Sequence, residues 1–210
     1  MKISVSYLSS IDNLDKVIDK LNNTSCDYLH CDIMDNIFVP NITPNYEIIN
    51  NTLKNFQKKK DVHLMVKDVK KYVDVYKDLN PEYITFHLEA GDNIKEMINY
   101  IKSFNIKVGL SIKPNTGVDR IIPYLGLIDL VLVMSVEPGF GGQEFIIDSI
   151  KKVNELKEIK NNQNYNYIIE VDGGINNTNI DMLSSADMVV VGSYITKTDN
   201  YQDQINKILK

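Results

Sequence analysis

The chain has no tryptophan, two cysteines, three histidines, a single arginine, and no glycine before Gly91. Each scarcity excludes something. Two cysteines, Cys26 and Cys31, cannot build a disulfide scaffold, which fits a reduced, cytoplasmic setting. Arg120 stands alone among 23 basic residues, and 28 acidic residues bring the net charge to −5, so the chain lacks the basic excess of a nucleic-acid binder. An anionic ligand must then be held by a local device and not by the overall field. No apolar run comes near the roughly 18 residues of a membrane span. The opening MKISVSYLSSIDNLDK lacks the apolar core and cleavage site of a signal peptide. The late first glycine also bears on the fold. The first strand candidate leads into Tyr7-Leu8-Ser9-Ser10, so the GxGxxG turn of an open dinucleotide-binding sheet is missing.

What is present is a globular balance, 43% hydrophobic and 24% charged over 210 residues, enough to bury a core without staples. Short β-rich runs alternate with longer helical stretches. The strands are expected at Lys2–Leu8, Asp27–Met34, Val62–Met65, Tyr83–His87, Lys107–Ile112, Asp129–Val133, Tyr167–Val171 and Met188–Val191. Between the first two, Leu14, Val17, Ile18 and Leu21 recur at helical spacing over Asp12–Leu21, with Ser10 or Asp12 available as the cap. Alternating strands and helices imply a parallel sheet. Eight such units in this length predict a closed (β/α)8 TIM barrel, with residues 1–210 forming one domain.

Side chains alternate along a strand, so His30, Asp32 and Met34 share one face of the second strand, while Leu29, Cys31 and Ile33 share the other. An aspartate pointing into a barrel is costly unless paired or metal-bound. For His30 and Asp32 alone, a structural hydrogen bond and a metal or catalytic role both stay open. The third strand adds His63 and Met65 on one face, and the seventh ends in Glu170-Val171-Asp172. Two histidines and two aspartates can therefore meet at one barrel mouth, a donor set that suits Zn2+, Fe2+, Mn2+ or Co2+. His87 reads as a structural histidine or one that backs a ligand, and Glu170 as a structural partner, with Lys113 the candidate mate. Glycine-bearing loops follow the last three strands: Gly139, Gly141 and Gly142, then Gly173 and Gly174, then Gly192 with Ser193. Such loops turn backbone N–H groups toward an anion, and none of the three holds a Lys or Arg.

These stretches resemble the ribulose-phosphate 3-epimerase family. The matching segments are YLHCDIMDNIFVPNIT (28–43), DVHLMV (61–66), TFHLEA (85–90), VGLSIKP (108–114), VLVMSVEPGFGGQ (131–143), EVDGGI (170–175) and VVVGSYI (189–195), in family order over nearly the whole chain. The resemblance implies one divalent metal ion per subunit, held by His30, Asp32, His63 and Asp172, with Asp32 and Asp172 doubling as the two acid/base groups. It implies that Ser6 and His63 contact substrate and that Met34, Met65 and Met134 cap the reacting carbons. Gly141, Gly142, Gly174, Gly192 and Ser193 would bind the phosphate, with Gly139 and Gly173 in the same substrate-binding loops. The implied activity interconverts D-ribulose 5-phosphate and D-xylulose 5-phosphate, a step of the pentose phosphate pathway. Homo-oligomers are common in the family, and a homo-oligomer is implied here. The chain departs from the pattern at Ile11, where an acidic residue is usual, and at Asn36 and Ile37, where glycine and histidine are common.

The residue types suit that chemistry. Inverting a carbon beside a ketone requires one acid/base group on each face and stabilisation of an enediolate. Three other readings compete: a 3-epimerase of a hexulose phosphate such as D-allulose 6-phosphate, a barrel decarboxylase, and a non-catalytic phosphate-ligand barrel. The decarboxylase would need an Asp-x-Lys pair at a strand end. Only Asp68-Val69-Lys70 has that spacing, and it falls in a helix. The binding barrel has no use for both histidines and both aspartates.

Overall fold

The computed structural model describes residues 1–44, 46–91 and 93–210, and only the backbone of Tyr46 and Ile48. Eight parallel strands close into a barrel in sequence order: β1 (Lys2–Ser6), β2 (Tyr28–Met34), β3 (Lys59–Met65), β4 (Tyr83–His87), β5 (Lys107–Ile112), β6 (Leu130–Met134), β7 (Ile168–Asp172) and β8 (Met188–Val191). The helices are α1 (Leu14–Asn22), α2 (Tyr46–Leu53), α3 (Val69–Tyr76), α4 (Ile94–Lys102), α5 (Ser149–Asn162), α6 (Ser193–Thr196) and α7 (Tyr201–Ile208). Two crossovers carry 3-10 turns in place of a full helix. These are Val118–Arg120 with Ile122–Leu127 before β6, and Ile180–Leu183 before β8. Pro123 and Gly126 disfavour a longer helix in the first of these. No helix among the described residues is long and apolar enough to cross a membrane.

The outward face of each strand is apolar and packs under the helices. Ile3, Val5, Leu29, Cys31, Ile33, Val62 and Leu64 join Leu14, Val17, Ile18 and Leu21 of α1 in one buried cluster. That follows from the period-2 and period-3.6 patterns meeting face to face. The inward face is different. Tyr28, Tyr83, Leu130, Leu132 and Met188 form an apolar cluster, but Ser4, Asp61 and Glu170, their register partners, are fully buried as well, with His30 and Thr85.

Two expectations need correction. α1 begins at Leu14, and neither Ser10 nor Asp12 caps it; Asn13 takes the cap position without a side-chain bond. The chain is kinked at Ser10 (φ −139°, ψ 26°), whose hydroxyl meets the Thr196 carbonyl at 3.4 Å instead. β3 also starts three residues earlier than the hydrophobic run, at Lys59. The charges of Lys59, Lys60 and Asp61 hide it in the sequence, although Lys60 buries its stem and donates to the Phe56 carbonyl at 3.3 Å.

At the N-terminal end of the barrel a clasp recurs. Asp27, Asp129 and Asp187 each stand one residue before an even-numbered strand. Asp27 N–H donates to the Ile3 carbonyl at 2.9 Å while its carboxylate accepts the Ile3 N–H at 2.9 Å. Asp129 does the same with Val108 (2.8 and 2.9 Å) and Asp187 with Ile169 (2.9 and 2.9 Å). At β4 the corresponding Glu82 keeps only the backbone half, donating to the Lys60 carbonyl, and its carboxylate pairs with Lys59 and Lys107. Asp187 also binds Lys160 at 2.7 Å and Lys157 at 3.5 Å. Burial pushes the Asp187 carboxyl up, but Lys160, the Ile169 N–H and Lys157 together hold it below the usual range. Asp187→Ala is expected to cost about 1–3 kcal/mol, because it strands the Ile169 N–H. The folded-state pKa lies below the unfolded one, so the charge contribution is complete above the ordinary value of about 3.9 and fades as pH falls through the lowered value. Denaturant unfolding of wild type and Asp187→Asn should therefore differ at neutral pH and converge in acid; a constant gap would contradict this.

Candidate active site

Four side chains from three strands meet at the C-terminal mouth. One donor atom each of His30, Asp32, His63 and Asp172 lies within 4.8 Å of every other, a cluster able to hold a metal ion. The register brings this about. Asp32 of β2 is paired with His63 of β3, and Asp172 ends β7 across the barrel. His30 Nε2 lies 3.3 Å from Asp32 Oδ1, 3.4 Å from His63 Nδ1 and 3.9 Å from Asp172 Oδ2, and His63 Nδ1 lies 3.2 Å from Asp32 Oδ1. Two imidazoles with two carboxylates form a borderline donor set that fits Zn2+, Fe2+, Mn2+ or Co2+. Ser6 donates its hydroxyl to the other Asp32 oxygen at 2.7 Å.

The two carboxylates differ. Burial raises Asp32, but His30 and His63 overcome it and hold the group well below the usual carboxylate range. Asp172 is pushed up to about 6, by burial first and by the Asp32 charge, against the pull of His30. With no cation between them, the two carboxylates are thus pushed in opposite directions by their surroundings. Burial would lower His30, yet Asp32 and Asp61 raise it well above the ordinary value.

Above this cluster opens a cleft of about 470 Å³. Ser6, Asp32, Met65, Met134 and Asp172 form its floor, and Gly139, Gly141, Gly142, Gly173, Gly174, Gly192 and Ser193 line one side. All three glycine loops thus face one space. Gly174 (φ +65°) is forced to be glycine, since a Cβ there would stand 2.5 Å from Phe145 N and 2.8 Å from the Gln143 carbonyl. His30 and His63 are fully buried beneath the floor. Met34 does not line the cleft. It packs against Val39 and Met65 in a separate apolar cluster, because the β2–α2 loop folds over the end of its strand. In that loop Asn36 takes the left-handed region (φ 58°), which asparagine tolerates where glycine would be the freer choice.

Sequence reasoning missed several residues. Lys197 lines the cleft four positions beyond Ser193, one helical turn on, so a cation does stand beside the glycine loops; Ser9 and Asn176 line it too. Asp61 was hidden with the charged start of β3. Its Oδ2 sits 2.6 Å from His30 Nδ1. Glu170 does not pair with Lys113. Lys113 places its ammonium 4.0 Å over the Phe38 ring, while Glu170 belongs to a buried group with His30 and Asp61. Burial and the Asp61 charge push the Glu170 carboxyl well up. His87 backs His63, with the two Nε2 atoms 2.9 Å apart, and burial lowers its own pKa to about 4. Asp68 caps α3 by accepting the Lys71 N–H, so the Asp68–Lys70 pair is no part of the mouth.

Comparison with known proteins agrees with this geometry. The family model described as the ribulose-phosphate 3 epimerase family matches residues 2–196. A ribulose-phosphate 3-epimerase of Helicobacter pylori is 39% identical over 198 residues, covering 93% of this chain and 90% of that protein. One of Aquifex aeolicus is 39% identical over 184 residues (87% and 83%). A cytoplasmic isoform of Oryza sativa subsp. japonica is 38% identical over 201 residues (92% and 86%). Among solved structures, a complex of KGPDC from Streptococcus mutans superposes with a TM-score of 0.72 at 12% identity, covering 99% of this chain and 94% of that one. Tryptophan synthase subunit alpha from Campylobacter jejuni gives 0.69 at 15% identity, with the same coverages. At such low identity these two likenesses speak for the shared barrel alone. The sequence relatives speak for more, and the chain belongs to the ribulose-phosphate 3-epimerase family of isomerases.

Proposed function

We propose that this protein interconverts D-ribulose 5-phosphate and D-xylulose 5-phosphate by removing and returning the C3 proton, with Asp32 and Asp172 as the two acid/base groups and a divalent metal held by His30, Asp32, His63 and Asp172. The observation that carries this is the meeting of those four side chains at the floor of a glycine-lined cleft. The activity named for the curated relatives supports a pentulose phosphate over a hexulose phosphate.

A substrate lying across this floor has Asp32 rising from β2 and Asp172 from β7. One carboxylate takes the proton from its face, and the other, in its acid form, gives one back from the opposite face. The roles exchange in the reverse direction. Ser6 holds Asp32 through its second oxygen, which fixes the carboxylate's orientation. Met65 and Met134 give the reacting carbons an apolar wall that makes no competing hydrogen bonds. The bound cation would supply charge to stabilise the enediolate, a contribution of several kcal/mol. The glycine loops, with Ser193 and Lys197, hold the phosphate at the cleft's far side and so set which carbon reaches the aspartates.

Three outcomes follow for purified protein. Asp32→Asn and Asp172→Asn should each lower kcat on D-ribulose 5-phosphate by about 100- to 10,000-fold, with solvent deuterium no longer entering C3 from the altered face. Unchanged turnover in either would overturn the two-base assignment. A strong chelator should abolish activity, and Zn2+, Fe2+, Mn2+ or Co2+ should restore it; full activity in protein shown to be metal-free would remove the cation from the reading. Gly174→Ala should displace the Gln143–Phe145 backbone, raising KM and the inhibition constant of inorganic phosphate together by about 10- to 100-fold, as expected for losing one or two charge-assisted hydrogen bonds.

A further inference from the structure

The hydrogen bonds behind the two imidazoles decide where their protons sit. His63 and His87 meet Nε2 to Nε2 at 2.9 Å. Two ring nitrogens at that distance share one proton, so one donates and the other accepts. The far side of His87 settles which. Its Nδ1 faces Glu89 Oε2 at 3.3 Å, and a carboxylate can only accept. Glu89 is itself pinned, because its Oε1 already takes the Lys113 N–H at 2.9 Å and the Thr116 hydroxyl. His87 therefore keeps its proton on Nδ1 and offers a bare Nε2. His63 must then donate from Nε2, so Nδ1 is the nitrogen left bare in the neutral ring that can ligate a cation. That Nδ1 is the atom beside Asp32 Oδ1 and His30 Nε2. On the other strand Asp61 does the same job directly. It accepts from His30 Nδ1 at 2.6 Å, with Ser4 reaching the same oxygen at 3.4 Å, so the nitrogen that gives up its proton when a cation binds is Nε2, which faces the cluster.

We propose that two carboxylates outside the metal cluster, Glu89 acting through His87 and Asp61 acting directly, set the tautomers of His63 and His30 so that a bare nitrogen of each faces the cation. This rests on the metal reading above. Glu89, His87 and Asp61 are positioning residues: they act through the two imidazoles and need touch neither cation nor substrate. His87 has little freedom to adopt another arrangement, being fully buried with its ring 4.9 Å from Phe38 and 5.0 Å from His63. A histidine kept only for packing would be indifferent to where its proton lies.

That difference is measurable, because these three are the chain's only histidines. In zinc-loaded protein with 15N-labelled histidine, two-bond couplings should place the retained protons on Nδ1 of His30, Nε2 of His63 and Nδ1 of His87. Glu89→Gln keeps the shape and inverts the signal. The Lys113 N–H and Thr116 hold the new carbonyl at the Oε1 position, so the amide NH2 faces His87 Nδ1 and drives its proton to Nε2, against His63. Zinc affinity should then fall by about 10- to 100-fold, with the His87 proton seen to move. His87 protonated on Nε2 in the wild type would overturn the proposal, as would a Glu89→Gln protein that binds zinc as tightly as wild type. If the variant does not fold, the wild-type tautomers decide alone. A wild type that takes up no zinc would instead overturn the metal reading, and this inference with it.

Discussion

Everything at this barrel's mouth depends on crowding two imidazoles and two carboxylates into a space where any two donor atoms are at most 4.8 Å apart. Like charges and desolvated rings resist such crowding. Strand register is what enforces it. Asp32 and His63 are neighbours across the β2–β3 ladder, and His30 lies one inward position below, beside Ser6 of β1. The resistance is met by partners further in, through Ser6 on Asp32, Asp61 on His30 and His87 on His63. The barrel's middle is accordingly polar, where such barrels more often hold branched aliphatic side chains.

A layer of buried hydroxyls and carboxyls offers little of the apolar burial that stabilises a fold. The compensation lies outside the strands, where one continuous cluster runs beneath the helices from Ile3 to Ile208. Function and stability are thus divided by strand face. Even-numbered positions of β2, such as His30 and Asp32, belong to chemistry, and odd ones, such as Cys31 and Ile33, belong to packing.

Alternation is also why so much was readable beforehand. The eight strands, the inward set of His30, Asp32, His63 and Asp172, and the shared direction of the glycine loops all follow from period-2 and from strand–helix order. What escaped was of another kind. Asp61 looked like part of a charged loop because Lys59 and Lys60 precede it, and only the pairing of Asp61 with Tyr83 shows it to be in a strand. Glu170 was given the wrong mate, since alternation says which way a side chain points and nothing of what meets it across a barrel. Met34 shares the inward face of its strand, but the loop that follows covers it. Lys197 was overlooked because it stands outside the glycine segments and comes near only once α6 has turned.

The clasps at the opposite end have a bearing on how the ring is made. Asp27, Asp129 and Asp187 fasten an even strand to the odd strand just before it, joining segments about 20 residues apart in sequence. Asp187 does one thing more: its carbonyl accepts the Lys2 N–H at 2.9 Å, where β8 meets β1. That seam brings together parts of the chain separated by almost its whole length, the contact with the greatest loop entropy to overcome. The imidazole side of the mouth, on neighbouring β2 and β3, draws on local pairing. Ser6 and the Gly192–Ser193 turn take their places beside each other only when the seam shuts, and Asp172 of β7 reaches His30 of β2 across the same closure, so a chain stalled before it would hold three of the four cation donors and half a cradle for the sugar phosphate.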